Sequence, residues 1–307
     1  MMDTRGVLVQ WLRCAVLIFL SSGGVCLSQS AQPWSYAVEA AAKAAPQARI
    51  VVLAIASGHL LAAVHLNQAA RTLAAPGSTF KPLALYSLVA SGRWDPSRRI
   101  ACARSLRIAG RSLNCSHPPA EPMNARQALA WSCNTYFATV ARSLQPGELR
   151  RLLAPTGLLG QTGFAPEEAS AEFRDPETPD ESSLTLLGVE GIRVTPLELV
   201  TAYRWLALQL ATHPNSPAAE VVSAGLADSA TFGIAGAASR GGVAVAGKTG
   251  TANLGAGTPS HGWFVGLVPA ARPTEVVAVY LPAGHGANAA QVAAELLAHS
   301  PLRQPRP

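Results

Sequence analysis

Ser78 stands three residues before Lys81 in the run Pro76-Gly77-Ser78-Thr79-Phe80-Lys81-Pro82. If Ser78 opens a helix, that spacing puts hydroxyl and amine on one face. A serine is a weak nucleophile until a neighbouring base takes its proton, and a desolvated lysine can be that base. A helix N-terminus also points free N–H groups at developing negative charge. Pro82 fits only in or near a first turn, which limits where the helix begins. Alone, a serine three before a lysine is a common coincidence.

Two further runs carry compatible chemistry. Ser132-Cys133-Asn134 offers a hydroxyl and an amide two positions apart. On an irregular connection both can face one cleft, relaying a proton and gripping an amide, although a helix cap or a polar patch is the preferred reading of such residues taken alone. Lys248-Thr249-Gly250-Thr251 lies in a strand-like run. There Lys248 and Thr249 can neutralise and hydrogen-bond a carboxylate, while Gly250 lets a substrate backbone lie close. The chain has only three lysines, Lys43, Lys81 and Lys248, against 24 Lys plus Arg. Two of the three fall in these runs, where a titratable amine or compact charge is needed and arginine is no substitute.

The elements that must position them follow from periodicity and turn residues. A helix is expected over 34–45, strands over 48–55 and 60–66, and a helix over 78–90. Helical pieces follow near 124–143, 148–153 and 196–210, with a Gly- and Pro-rich acidic loop over 154–183 between them. Strands at 243–252, 262–268 and 275–281 and a helix at 287–298 close the chain. Strands at both ends with helices between them give an α+β expectation: an antiparallel five-stranded sheet flanked by helices, completed by the two termini, with an inserted all-helical lobe. The sheet lobe would span about 34–95 and 232–300 and the helical lobe about 96–231, with a substrate cleft between them.

Composition bounds the partners. The 307 residues are 49% apolar and 14% charged, with a formal net charge of +6, which describes a folded globular chain. Arg93, Arg98, Arg99, Arg104, Arg107 and Arg111 cluster without interleaved aromatic residues, so a solvated basic face is expected and no nucleic acid. Residues 1–30 read as an export signal: Arg5 and Arg13 precede the apolar run Cys14–Leu20, and Ser28-Gln29-Ser30 offers small residues for cleavage. The mature chain, 31–307, is therefore expected in the periplasm or another extracytoplasmic space, held at the inner membrane if the signal stays uncleaved. Cys102 and Cys115 flank a hairpin expected around 107–111, and an exported chain can oxidise such a pair. Cys102, Cys115 and His117 could instead hold a metal, but the spacing matches no strong zinc signature. Neither a metal nor an organic cofactor is expected, and Cys133 is read as a buried thiol.

Order and spacing join the three runs, with Ser132 54 positions after Ser78 and Lys248 another 116 on. In this order the chain resembles the transpeptidase domain of penicillin-binding proteins, whose motif set is shared with class A β-lactamases. Ser132 to Phe137 after Cys102–Cys115 resembles the class B enzymes. So do Gly188–Leu197, with Glu190 where glutamine is usual, and His261–Gly266. The resemblance covers nearly all of 48–298 and implies a β-lactamase/transpeptidase-like fold. It also implies catalytic roles for Ser78, Lys81, Ser132 and Lys248, and substrate-binding roles for Asn134, Thr249, Gly250 and Thr251. The implied partners are peptidoglycan stem peptides ending in D-Ala-D-Ala, β-lactams as covalent inhibitors, and other cell-wall proteins. Transpeptidase and carboxypeptidase activity both fit. A class D-like β-lactamase is the rival enzyme, against which Asn134 stands where that family has an apolar residue. A penicillin-sensing scaffold is the non-enzymatic rival.

Overall fold

Strand β1 (Arg49–Ala54) shows how the sheet sits. Its Ile50 and Val52 pack into one hydrophobic core and its Val51 and Leu53 into another, so both faces of the sheet are covered. The computed structural model describes residues 33–253 and 259–303. The expected signal over 1–30 lies outside them. Among the described residues, no helix is long and apolar enough to cross a membrane.

Helix α1 (Trp34–Ala44) precedes β1 and buries Trp34, Ala37, Val38 and Ala41, the i, i+3, i+4, i+7 stripe of an amphipathic helix. Then come β2 (Leu60–Val64), α2 (Leu66–Arg71), a 3-10 turn over Gly77–Phe80, and α3 (Lys81–Ala90). The two-residue strands β3 (Arg107–Ile108) and β4 (Arg111–Ser112) form the expected hairpin. Helices α4 (Ala125–Trp131), α5 (Asn134–Ala141) and α6 (Glu148–Leu153) follow. Next are the short strand β5 (Glu172–Phe173), α7 (Pro179–Leu186) and β6 (Ile192–Arg193), with β5 and β6 paired. Helices α8 (Pro196–Thr212) and α9 (Pro217–Thr231) lead to β7 (Ala246–Ala252), β8 (His261–Val268), β9 (Glu275–Leu281) and α10 (Gly286–Ala298).

The main sheet has the order β2-β1-β9-β8-β7, and its pairings are all antiparallel. The mixed α/β architecture with a five-stranded antiparallel sheet is the one expected. Strand β9 joins the N-terminal hairpin to the C-terminal strands, and β7 lies at an edge. Alternation continues in β8, where Trp263, Val265 and Leu267 join the core shared with α3, α5 and α8, and Phe264 and Val268 the core shared with α1 and α10. Two elements differ from expectation. The segment 154–183 is not all loop, because Thr178 and Glu181 form a reciprocal capping box that starts α7. Helix α9 starts at Ser216, whose side chain accepts from Ala219 N–H, with Pro217 in the first turn.

Candidate active site

Ser78 lies inside the 3-10 turn, and α3 begins at Lys81 with Pro82 still in its first turn. This removes the conflict that the proline posed. It has no N–H to contribute, and first-turn donors have no helical partner in any case. Ser78 is partly exposed, whereas Lys81, one turn on, is fully buried.

The turn is pinned from several sides. Tyr203 on α8 donates its hydroxyl to Thr79 O at 2.8 Å. Trp263 Nε1 donates to Ala75 O at 2.9 Å, and His261 Nε2 stands at the same distance from that oxygen. Gly77 N–H donates to Gly188 O at 2.8 Å. Gly77 has φ +55°, and a Cβ there would lie 2.8 Å from Thr251 O and 2.9 Å from Thr251 N, so the Ser78 turn runs against the β7 backbone. A Cβ on Gly250 would meet Pro76 O at 2.5 Å. The close approach expected of a substrate backbone at Gly250 is made by the protein's own turn.

The Lys81 amine sits at the centre. Nζ donates to Ser132 O at 3.0 Å and to Asn134 Oδ1 at 2.6 Å, lies 3.2 Å from Ser132 Oγ, and stands 5.1 Å from the centre of the Phe137 ring. Burial pushes it down to about 7, with the nearby Cys133 and Cys115 opposing that shift. Among the described residues, Ser78 Oγ makes no hydrogen bond. Such looseness is common before a substrate binds.

Ser132 presents its hydroxyl because the chain turns there. It ends α4 at φ 56°, ψ 38°, a left-handed conformation uncommon outside glycine, and Cys133 then caps α5. The helical region expected near 124–143 is thus two helices meeting at this turn. Asn134, the first residue of α5, accepts from Lys81 and donates Nδ2 to Leu113 O at 3.0 Å, so it ties the amine to the segment after β4.

Lys248 brings the third run in from β7. It is fully buried, donates to Thr249 O at 3.0 Å, and is held well below the usual lysine range by burial and then by the charge of Lys81. Thr249 is buried and Thr251 exposed, and Thr251 Oγ1 accepts from Gly286 N–H at 2.9 Å. All eight residues singled out from the sequence therefore lie on three segments that meet: 77–81, 132–134 and 248–251. Tyr203 escaped the sequence reading, because a lone tyrosine in a long helix carries no spacing signal, and Gly188 enters that reading only as the start of a family-like segment.

The rim is ionic. Glu190 pairs with Arg111 at 2.8 Å and with Arg174 at 3.7 Å. Arg93 pairs with Glu148 at 2.6 Å, and Arg104 donates to His117 O at 2.5 Å. Several of the arginines expected on a solvated face thus hold loops together. Cys102, Cys115 and Cys133 are all free thiols, so the bridge expected between Cys102 and Cys115 is absent.

The fold recurs in solved structures. The transpeptidase domain of penicillin-binding protein 3 from Burkholderia pseudomallei superposes with a TM-score of 0.73 at 20% identity, covering 87% of this chain and 90% of that one. A peptidoglycan glycosyltransferase from Burkholderia ambifaria gives 0.74 at 21% identity, covering 86% and 92%. Penicillin-binding protein 2 of Helicobacter pylori, in a complex with MreC, gives 0.74 at 17% identity, covering 86% and 61%. No curated protein matches the sequence. The family model of the penicillin binding protein transpeptidase domain matches residues 35–299, and the chain belongs to that family.

Proposed function

We propose that this chain is an exported serine acyltransferase that acts on D-Ala-D-Ala stem peptides of peptidoglycan, as a transpeptidase or carboxypeptidase, and is acylated by penicillin. The observation that carries the reading is the buried Lys81 amine, one turn after Ser78 and held against Ser132 and Asn134. A neutral amine there accepts the Ser78 proton as Oγ bonds to the carbonyl carbon. Ser132 and Lys248 then deliver a proton to the leaving D-alanine amine as the peptide bond breaks. Backbone N–H groups of Ser78 and Thr251 receive the oxyanion, since the Gly77 contact sets these two backbones side by side. Water or an acceptor amine finally displaces Ser78 from the acyl-enzyme. Edge strand β7 has an unpaired side, which suits an extended peptide added as a further strand. Asn134 and Thr249 contribute amide and carboxylate contacts to that peptide, with Thr251 once its hydroxyl leaves Gly286. Other cell-wall proteins are natural partners, and the MreC complex of the Helicobacter relative supports that class.

Intact-mass spectrometry after incubation with penicillin tests the assignment. One adduct is expected on the wild-type chain and none on Ser78→Ala. An adduct that persists in the variant refutes the nucleophile.

A class D-like lactamase carries a carbamylated lysine in an apolar pocket. Three polar atoms surround Lys81 Nζ instead, which favours an amine and a long-lived acyl-enzyme.

A further inference from the structure

Behind Ser132-Cys133-Asn134 lies a second cluster that the acyl-transfer chemistry does not use. The ligand atoms of Cys102, Cys115, His117 and Cys133 all lie within 4.8 Å of one another, with three of these residues buried and Cys102 half-buried. Four atoms bonded to a tetrahedral zinc ion, with Zn–S about 2.3 Å and Zn–N about 2.05 Å, stand about 3.8 Å apart for sulfur–sulfur and about 3.6 Å for sulfur–nitrogen. Cys115 Sγ and Cys133 Sγ are 3.9 Å apart, and Cys102 Sγ and His117 Nε2 are 3.5 Å apart.

The surroundings suit thiolates and one imidazole nitrogen. His117 Nδ1 lies 2.6 Å from Pro118 O, a contact that requires the proton on Nδ1 and leaves the Nε2 lone pair free toward the sulfurs. Arg104 N–H donates to Cys102 Sγ at 3.3 Å, and Asn134 N–H donates to Cys115 Sγ at 3.2 Å. The Thr135 hydroxyl lies 3.6 Å from Cys102 Sγ and 3.9 Å from Cys115 Sγ.

We propose that Cys102, Cys115, His117 and Cys133 bind one zinc ion as a closed Cys3His site that locks the Ser132-Cys133-Asn134 turn in place. Three thiolates and an imidazole are a soft, tetrahedral set that selects zinc over magnesium or calcium. On binding, the ion displaces three thiol protons to solvent, and no redox step is involved. Four protein ligands leave no position for substrate, so the ion is structural. Its pattern, Cys-x12-Cys-x-His-x15-Cys, differs from the usual finger spacings, which is why the sequence reading expected no metal. The ion would fasten the hairpin segment and the strained turn at Ser132 to a common point. The site shares no ligand with the acyl-transfer machinery, so it stands or falls independently of that reading.

The test uses the full chain, purified without a polyhistidine tag. Elemental analysis should find about one zinc per chain. Exchange with cobalt(II) should give thiolate-to-metal charge transfer and the intense visible bands of a tetrahedral centre. Cys102→Ser should weaken that charge transfer, and His117→Gln should lower zinc affinity in chelator competition by at least the roughly 10–100-fold that losing a ligand's hydrogen-bond partner costs. Should these variants fail to fold, the wild-type chain still decides: thiol titration with a mercurial should release zinc in step with the modification of three protected cysteines. Metal-free protein that takes up no cobalt overturns the proposal. So does a disulfide among Cys102, Cys115 and Cys133 in non-reduced peptide maps, or full zinc retention by both variants.

Discussion

If Lys81 is the base, penicillin acylation must follow the neutral fraction of its amine. At an ordinary lysine value of about 10.4, only about one amine in 2,500 is neutral at pH 7. Burial brings Lys81 down to about 7, which makes about half neutral at that pH. From pH 6 to pH 8 the neutral fraction then climbs from about one tenth to about nine tenths, so acylation should rise about tenfold and level off. Lys248 is also depressed and faces the charge of Lys81, so the inflection belongs to the pair. Lys81→Arg keeps a cation but cannot be deprotonated, and acylation should fall about 10²–10⁴-fold at every pH. Stability carries the same signature. Between about 7 and the ordinary lysine value the unfolded chain holds a proton that the folded chain does not, so Lys81 adds stability as pH rises through that window. Below the window the amine is charged in both states and this slope vanishes. Urea melts of wild type against Lys81→Met isolate it. Stopped-flow acylation with a fluorescent penicillin from pH 5.5 to 9 decides the catalytic part. A flat profile, or near-normal acylation by folded Lys81→Arg, refutes the base.

Three other perturbations probe the surrounding frame. Tyr203→Phe leaves the Thr79 carbonyl without its donor in a fully buried place, so denaturant unfolding should show a loss of about 1–3 kcal/mol, with slower acylation because the turn loosens. Gly250→Ala sets a Cβ against Pro76 O, and overpacking of that kind costs about 1–3 kcal/mol while prising the turn from β7; unchanged melts and acylation would contradict the packing. The penicillin acyl-enzyme should last minutes or longer in mass spectra, and rapid turnover stimulated by bicarbonate would move the chain toward the lactamases.

Much of the site was legible because spacing encodes it. A lysine one turn after a serine, a hydroxyl and an amide bracketing one residue, and a lysine-threonine-glycine strand all translate into faces and turns. The sheet was legible through alternation, and β1, β8 and β9 carry apolar residues toward both covered faces. Helix α7 was missed although Thr178-Pro179-Asp180-Glu181 has the same capping pattern as Thr195-Pro196-Leu197-Glu198, which opens α8, a helix expected from its periodicity. Its acidic first turn and the surrounding prolines looked like loop composition, and tertiary packing of Ser183, Leu184 and Leu186 supplies what local signal did not. The thiol cluster was legible only in part, for another reason: Cys102, Cys115 and His117 were considered together from the sequence, but Cys133 was not joined to them. Its ligands come from a hairpin flank, a following loop and a helix cap, and no one-dimensional spacing reports that convergence.

That convergence bears on how the Ser132 turn could serve the proposed reaction. Ser132 occupies a left-handed conformation that disfavours a side chain, and the short turn between α4 and α5 offers it little compensation of its own. Its neighbours supply the constraint from both directions. On one side Lys81 binds the Ser132 carbonyl and the Asn134 amide, while Asn134 reaches across to Leu113. On the other, Cys133 turns its sulfur toward Cys115, whose own sulfur accepts the Asn134 N–H. The turn is thus clamped between a buried amine and a buried thiol cluster. A side chain held this way keeps its hydroxyl near Lys81 before any substrate arrives, and that preorganisation is what the proposed proton relay would require.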